Sequence, residues 1–260
     1  MEPLGVGACL DEGWRLFGRH RGLLIGVWLL TASIGEIPAL FGWLYPNLGF
    51  VTWLGLVFSA LVIWPLYVGQ MYMALLLARN QPCGFGKAFA GFTRFWRLVG
   101  IVIVIGLRTV VALLPLLVSF IVWSLAGISS LAGTYALFGV GGAVSFFFVS
   151  RVVIRYMYAG VVALDEKLGV SESMGRSSEV TRGSLGRLFG ICLLIGLIAV
   201  LPATLMQIWL SNDSLWVQLL VTALLTAFLV GPWMGASEMV AYRTLRGEGQ
   251  EAEAGSAEEL

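Results

Sequence analysis

The sequence predicts an all-α, polytopic membrane protein: six transmembrane helices in three two-helix repeats, with interfacial amphipathic helices on the cytoplasmic side. Three observations predict it. Hydrophobic residues make up 58% of the 260 and charged residues only 12%, with a mean hydropathy of +0.89, whereas a soluble domain carries about a quarter charged residues. Six stretches, near 23–44, 50–78, 98–122, 131–158, 188–210 and 215–242, supply the ~20 apolar residues that a hydrocarbon core demands. The chain also repeats itself. Arg97-Leu98-Val99-Gly100-Ile101, leading to Gly106-Leu107, returns ninety residues on as Arg187-Leu188-Phe189-Gly190-Ile191, leading to Gly196-Leu197.

Taken in order, the chain opens with Val6, Leu10, Trp14 and Phe17 on one helical face, ahead of Arg19 and Arg21. The first apolar stretch runs on past Thr31-Ala32-Ser33 to Tyr45, so it reads as a span rather than a cleaved signal. After the second span, Phe85, Phe89, Phe92 and Trp96 form an aromatic stripe interleaved with Lys87, Arg94 and Arg97. That combination suits a helix lying among lipid headgroups. A weaker stripe, Val170, Met174, Thr181 and Leu185, precedes the fifth span, with Ser171 as its expected N-cap. Each outgoing span repeats a glycine–proline layout: Gly26 to Pro38, Gly100 to Pro115, Gly190 to Pro202. The unit is an interfacial helix, a span out, a short loop and a span back, over about 5–78, 84–163 and 170–246. Residues 1–246 then form one transmembrane domain, and 247–260, with five glutamates and no cation, a disordered acidic tail.

Charge placement sets the topology. Of the sixteen Lys and Arg residues, thirteen fall on one side: Arg15, Arg19, Arg21, Arg79, Lys87, Arg94, Arg97, Lys167, Arg176, Arg182, Arg187, Arg243 and Arg246. The alternate loops, around 45–49, 123–130 and 211–214, carry none. The positive-inside rule puts both termini in the cytoplasm, and Arg15, Arg19, Arg94, Arg97, Arg182 and Arg187 facing anionic headgroups. A net charge of +1 argues against nucleic acid as a partner. Three cysteines, Cys9, Cys83 and Cys192, imply neither a disulfide nor a metal site.

Ionisable residues inside spans are costly, so each is a candidate for function. Arg108 lies roughly 16 Å past Arg97 along its helix and Glu36 roughly 22 Å past Arg21, close enough in depth for an ion pair. The returning helices align Gln70, Arg155 and Glu238 at one depth, with Arg151 a turn outward from Arg155. Two readings follow: a structural clamp in which Arg155 and Glu238 pair and Gln70 takes the leftover donors, or a binding site for an anionic headgroup or solute. The clamp is the simpler, because charges that pair one another need no ligand.

The segment Arg155-Tyr156-Met157-Tyr158, Ala163-Leu164-Asp165, Gly169 to Met174, Arg176 to Gly183 and Arg187 to Ile191 resembles the bacterial YciC-like membrane proteins. It is similar also to the membrane domain attached to some glycerophosphoryl diester phosphodiesterases. Ser178 stands where that pattern has tryptophan, and Ser171 and Ser173 flank where it has Glu-Ala. The resemblance implies a multi-pass protein of the bacterial plasma (inner) membrane. It carries over no activity, since the phosphodiesterase domain is absent and no family residue maps as catalytic.

Nothing in the chain reads as catalytic. His20 sits between Arg19 and Arg21 at the membrane edge, and no His-Glu-x-x-His, Gly-x-Ser-x-Gly, paired intramembrane aspartates or phosphate loop occurs. The expectation is a membrane scaffold or lipid-associated protein without a cofactor, its partners being anionic lipids together with other membrane proteins or further copies of itself. A small transporter is the alternative. A cavity reaching both Arg108 and Arg155 favours transport; packed and paired charges favour a scaffold.

Overall fold

The computed structural model describes residues 5–44, 49–126, 130–209 and 230–248, with single positions at 217, 221, 224 and 228, and among these residues no strand occurs. All but Gly49 of the predicted loop at 45–49, the predicted loop at 211–214, most of the sixth stretch and the tail beyond Glu248 lie outside the described residues. Helix α1 (Val6–Gly35) joins the first amphipathic segment to the first apolar one, bending at His20 where the backbone leaves helical geometry (φ −121°, ψ 24°). The arginine-flanked histidine therefore marks the turn from charged to apolar helix. Helix α2 (Ile37–Leu44) follows a break at Glu36. Pro38, two residues on, has no N–H for the carbonyl four residues back, and its ring crowds that carbonyl.

The same device recurs twice more. Helix α3 (Gly49–Phe58) passes through one π turn (Ser59–Ile63) into α4 (Trp64–Ala78), with Pro65 in its first turn. A 3-10 segment (Phe85–Arg94) then feeds α5 (Phe95–Ala112), which ends at Leu113 two residues before Pro115 and resumes as α6 (Leu114–Ala126). Helix α7 (Leu131–Tyr156) starts with the Ser130 hydroxyl accepting from the Gly133 N–H at 3.2 Å. Short α8 (Ala159–Asp165), α9 (Val170–Val180), α10 (Leu185–Trp209) and α11 (Gly231–Leu245) complete the described helices. The cap of α9 falls at Gly169, not Ser171: the Glu172 carboxylate accepts from the Gly169 N–H at 3.0 Å. A carboxylate at the third helical position reaches that N–H better than a short serine hydroxyl at the second.

Three of these helical runs are long and apolar enough to cross a membrane: Trp53–Ala78, Phe85–Ala112 and Leu131–Asp165. A fourth is counted if α9 and the first part of α10, bent by 92°, act as one span. The expected stripe on α9 points inward, with Met174 and Thr181 buried.

Burial is concentrated at the basic end of the bundle. There α1, α4, α8, α10 and α11 share a core built from Leu24, Val27, Met73, Leu77, Tyr158, Val162, Leu188, Ile191, Met239 and Tyr242. A second cluster joins Val68, Leu98, Ile101, Tyr156, Ala159 and Met174. Farther along α5, α6 and α7 the apolar side chains face outward, including Leu107, Val111, Leu117, Phe120, Phe146 and Phe147. In water so wide an apolar surface is unfavourable, whereas against hydrocarbon it carries no penalty.

The 3-10 segment is ten residues long, well beyond the usual short run, and its contact with α4 explains its persistence. A side chain at Gly69 would strike the Ala88 carbonyl, and one at Gly91 the Pro65 carbonyl. The two backbones touch with no Cβ between them. Gly69→Ala or Gly91→Ala is expected to destabilise the protein by about 1–3 kcal/mol through overpacking. Gly86→Ala, which meets nothing within 4 Å, serves as the neutral control. Thermal unfolding in detergent measures the difference.

Candidate functional site

Three arginines remain once the thirteen on the basic side are set apart: Arg108, Arg151 and Arg155. The fold brings these three together. They line a cleft of 630 Å³ between α5, the start of α6 and α7, with Val104, Leu107, Val111, Pro115, Phe148 and Tyr156 forming its walls. A smaller hollow of 400 Å³ shares Val104, Arg108, Arg155 and Tyr156 with it and reaches Ser171, Met174 and Ser178 on α9. Tyr156 stands at the centre. The Arg108 guanidinium lies over its ring, 4.6 Å from the centroid, and donates to its hydroxyl. Arg155 sits 5.8 Å from the same ring and donates through Nε to the Ser178 hydroxyl at 2.7 Å. No carboxylate lines either hollow.

This arrangement corrects both expected ion pairs. Gln70 and Glu238 do not meet Arg155. Gln70 is buried and donates to the Val27 carbonyl at 3.0 Å. Glu238 accepts from the Tyr67 hydroxyl at 3.4 Å, and its backbone carbonyl accepts from Tyr158 at 3.3 Å. The reason is rotational. Helices α4 and α11 and the turn between α7 and α8 meet through Met73, Tyr242 and Tyr158, which turns Gln70 and Glu238 into the core and leaves Arg155 exposed. Glu36 and Arg108 stay apart as well: α1 packs on α4, α10 and α11, while α5 packs on α7 and α9. Sequence depth matched the two residues, and helix adjacency separated them.

Among the expected headgroup-facing residues, Arg19, Arg182 and Arg187 are exposed, and Arg15 pairs with Asp11 at 2.9 Å on an open surface. Arg94 and Arg97 instead share the Lys167 carbonyl at 3.0 Å each, tying the 3-10 segment and α5 to the loop before α9.

A second ionic group went unread in the sequence because its members lie far apart along the chain. Arg79, at the end of α4, grips Asp165 through two bonds of 2.7 and 2.9 Å and Glu248 at 2.7 Å. Arg246 joins Asp165 at 2.8 Å, Glu166 at 3.0 Å and Glu248 at 3.0 Å. Donating to Asp165, and then to Glu248, holds the Arg79 guanidinium still more firmly in its charged form. Every charge here has an opposite partner, Glu166 reaching Arg176 as well at 3.5 Å, so the group locks the ends of α4, α8 and α11 together. The arginine cleft has no such counter-charges. Its donors are guanidinium groups and hydroxyls, which suit an anion rather than a metal ion.

No family model matches the chain, and no curated protein or solved structure matches it.

Separate partners make Arg155 and Glu238 energetically independent. In a double-mutant cycle, Arg155→Gln and Glu238→Gln are expected to add, with a coupling energy below about 0.5 kcal/mol. Arg155→Gln alone leaves assembled protein intact by size exclusion. A coupling of several kcal/mol would restore the clamp.

Proposed function

We propose that the chain is a non-catalytic, multi-pass protein of the bacterial plasma membrane that holds anionic lipid at its cytoplasmic face and serves as a membrane scaffold. One observation carries this reading: the aromatic and basic stripe meets the apolar surface without a gap. Phe85, Phe89 and Phe92 are exposed beside Lys87, and Trp96, 80% exposed, adjoins Arg97. Directly beyond them α5 exposes Ile103, Leu107 and Val110. Aromatic and cationic side chains at headgroup level, followed by bare aliphatic surface, match the layers of a bilayer leaflet.

The six-span, threefold reading draws support from burial. Flanking each repeat glycine, the residues two before and one after are at most 1% exposed: Leu24 and Val27 around Gly26, Leu98 and Ile101 around Gly100, Leu188 and Ile191 around Gly190. Three residues past the aligned polar positions, Met73, Tyr158 and Ala241 are equally buried. The resemblance of residues 155–191 to YciC-like membrane proteins agrees with this reading. A transport reading is favoured by one observation, that the cleft reaches both Arg108 and Arg155. Its lip is formed by outward-facing Leu107, Val111 and Phe148, which favours sideways entry from lipid over a path through the bundle.

Two measurements test the proposal. Purified from membranes, the protein is expected to retain anionic phospholipid above its bulk fraction. Replacing Arg19, Arg182 and Arg187 together by Gln is expected to cut that enrichment several-fold, since each surface cation contributes about 1 kcal/mol. Equal retention of anionic and zwitterionic lipid would refute lipid holding. Orientation is tested at Cys83, a half-buried thiol before the aromatic stripe. A membrane-impermeant maleimide is expected to label it in inverted vesicles and not in right-side-out ones, with Cys83→Ser removing the label. Burial pushes this thiol above its ordinary range, so the reactive thiolate and the labelling rate keep rising with pH past the point where an exposed thiol levels off. Cys9 is buried and, with Glu12 beside it, pushed up to about 11, so it stays silent.

A further inference from the structure

We propose that the cleft between α5 and α7 is a binding site for one anionic phospholipid, its phosphate held between Arg108 and Arg155 and its acyl chains lying against Leu107, Val111 and Phe148. The inference rests on the membrane reading above and names the ligand of a single site within it. Three observations carry it. Charge comes first. Arg108, Arg151 and Arg155 converge without a carboxylate in the lining, and none of the three forms an ion pair among the described residues. Cations at this depth are costly unless an anion or water meets them, and a phosphate provides oxygens for two guanidinium groups at once.

Geometry is the second. Tyr156 spaces Arg108 and Arg155 on its ring, and both arginines line the cleft and the hollow that opens beside it. The Ser171 and Ser178 hydroxyls edge that hollow on the α9 side, where the polar remainder of a headgroup would lie. With no carboxylate present to receive an ammonium group, the lining favours a headgroup that is anionic overall over a zwitterionic one.

Apolar walls are the third. Leu107 and Val111 are each 63% exposed, and Phe148 nearly half exposed, so the cleft is open along its side. The break at Leu113 before Pro115 separates α5 from α6 beside it. A free phosphate ion would leave this aliphatic surface unused, whereas a lipid covers it with its chains.

Native mass spectrometry of the full chain, released from nanodiscs containing phosphatidylglycerol or phosphatidylcholine, tests the site. The expected result is a one-to-one adduct with phosphatidylglycerol. That adduct weakens about tenfold or more in Arg108→Gln and in Arg155→Gln, as loss of a charge-assisted contact implies, and is unchanged in Arg21→Gln, an exposed cation on α1. Val111→Trp, at the exposed lip, is expected to block the adduct without touching any arginine. It keeps the test valid should an arginine variant fold poorly. Equal adducts with phosphatidylcholine, or full binding in both the arginine variants and Val111→Trp, would overturn the site while leaving general lipid enrichment intact. Displacement of phosphatidylglycerol by millimolar inorganic phosphate would overturn the lipid as ligand. Loss of bulk enrichment with the one-to-one adduct retained would instead refute the scaffold reading and leave the site standing.

Discussion

The whole arrangement depends on one packed layer at the basic end of the bundle. There α1, α4, α10 and α11 pack through Leu24, Val27, Met73, Leu188, Ile191, Met239 and Tyr242 around Tyr158, and the second cluster, with Leu98 and Ile101 of α5, adjoins them at Tyr72. Away from this layer the helices expose most of their apolar surface. Helix contacts surrounded by hydrocarbon gain nothing from hydrophobic burial, so close packing and hydrogen bonds must hold them. The layer has both. Small residues let backbones touch, as where Gly13 faces Ser237 and Gly69 faces Ala88. Tyr158 and Gln70 donate across helices to backbone carbonyls.

The ionic lock beneath this layer works by mutual pairing. Two arginines, Arg79 and Arg246, face Asp165, Glu166 and Glu248. Removing one partner from such a group strands the others, which costs more than the net contribution of the pair itself. The lock therefore adds specificity to the layer: it fixes which helix ends meet. It also keeps Asp165, Glu166 and Glu248 occupied, so that positive charge at the cleft is not neutralised by these carboxylates.

Much of this was legible in the residues. Composition predicted an all-helical chain; the glycine–proline layout marks a repeat in the sequence, and only the structure shows helix breaks beside two of its prolines, at Glu36 and Leu113. The amphipathic stripes also predicted helical segments at 6–17, 85–96 and 170–185. Site geometry was harder to read. Depth along a helix follows from counting residues, but rotation about its axis depends on which neighbour it packs against. Gln70, Arg155 and Glu238 matched in depth and differed in direction. One signal did point to the outcome: three intramembrane arginines against two carboxylates, Glu36 and Glu238, left a cation without a partner in any pairing scheme.

The direction each of those three takes follows from what its side chain can do in a dry core. Glutamine carries its own donors and meets the Val27 carbonyl. A carboxyl group needs few partners, and Glu238 is served by Tyr67. Arginine has five N–H donors and a permanent charge, more than the core around Tyr158 and Tyr242 can satisfy, so Arg155 turns to Ser178 and the open cleft. There it joins Arg151, one turn away on the same helix, and Arg108 across Tyr156. Gln70 and Glu238 thus spend their polar atoms inside the packed layer, and Arg155, which that layer cannot satisfy, is left at an open cleft whose lining holds no carboxylate.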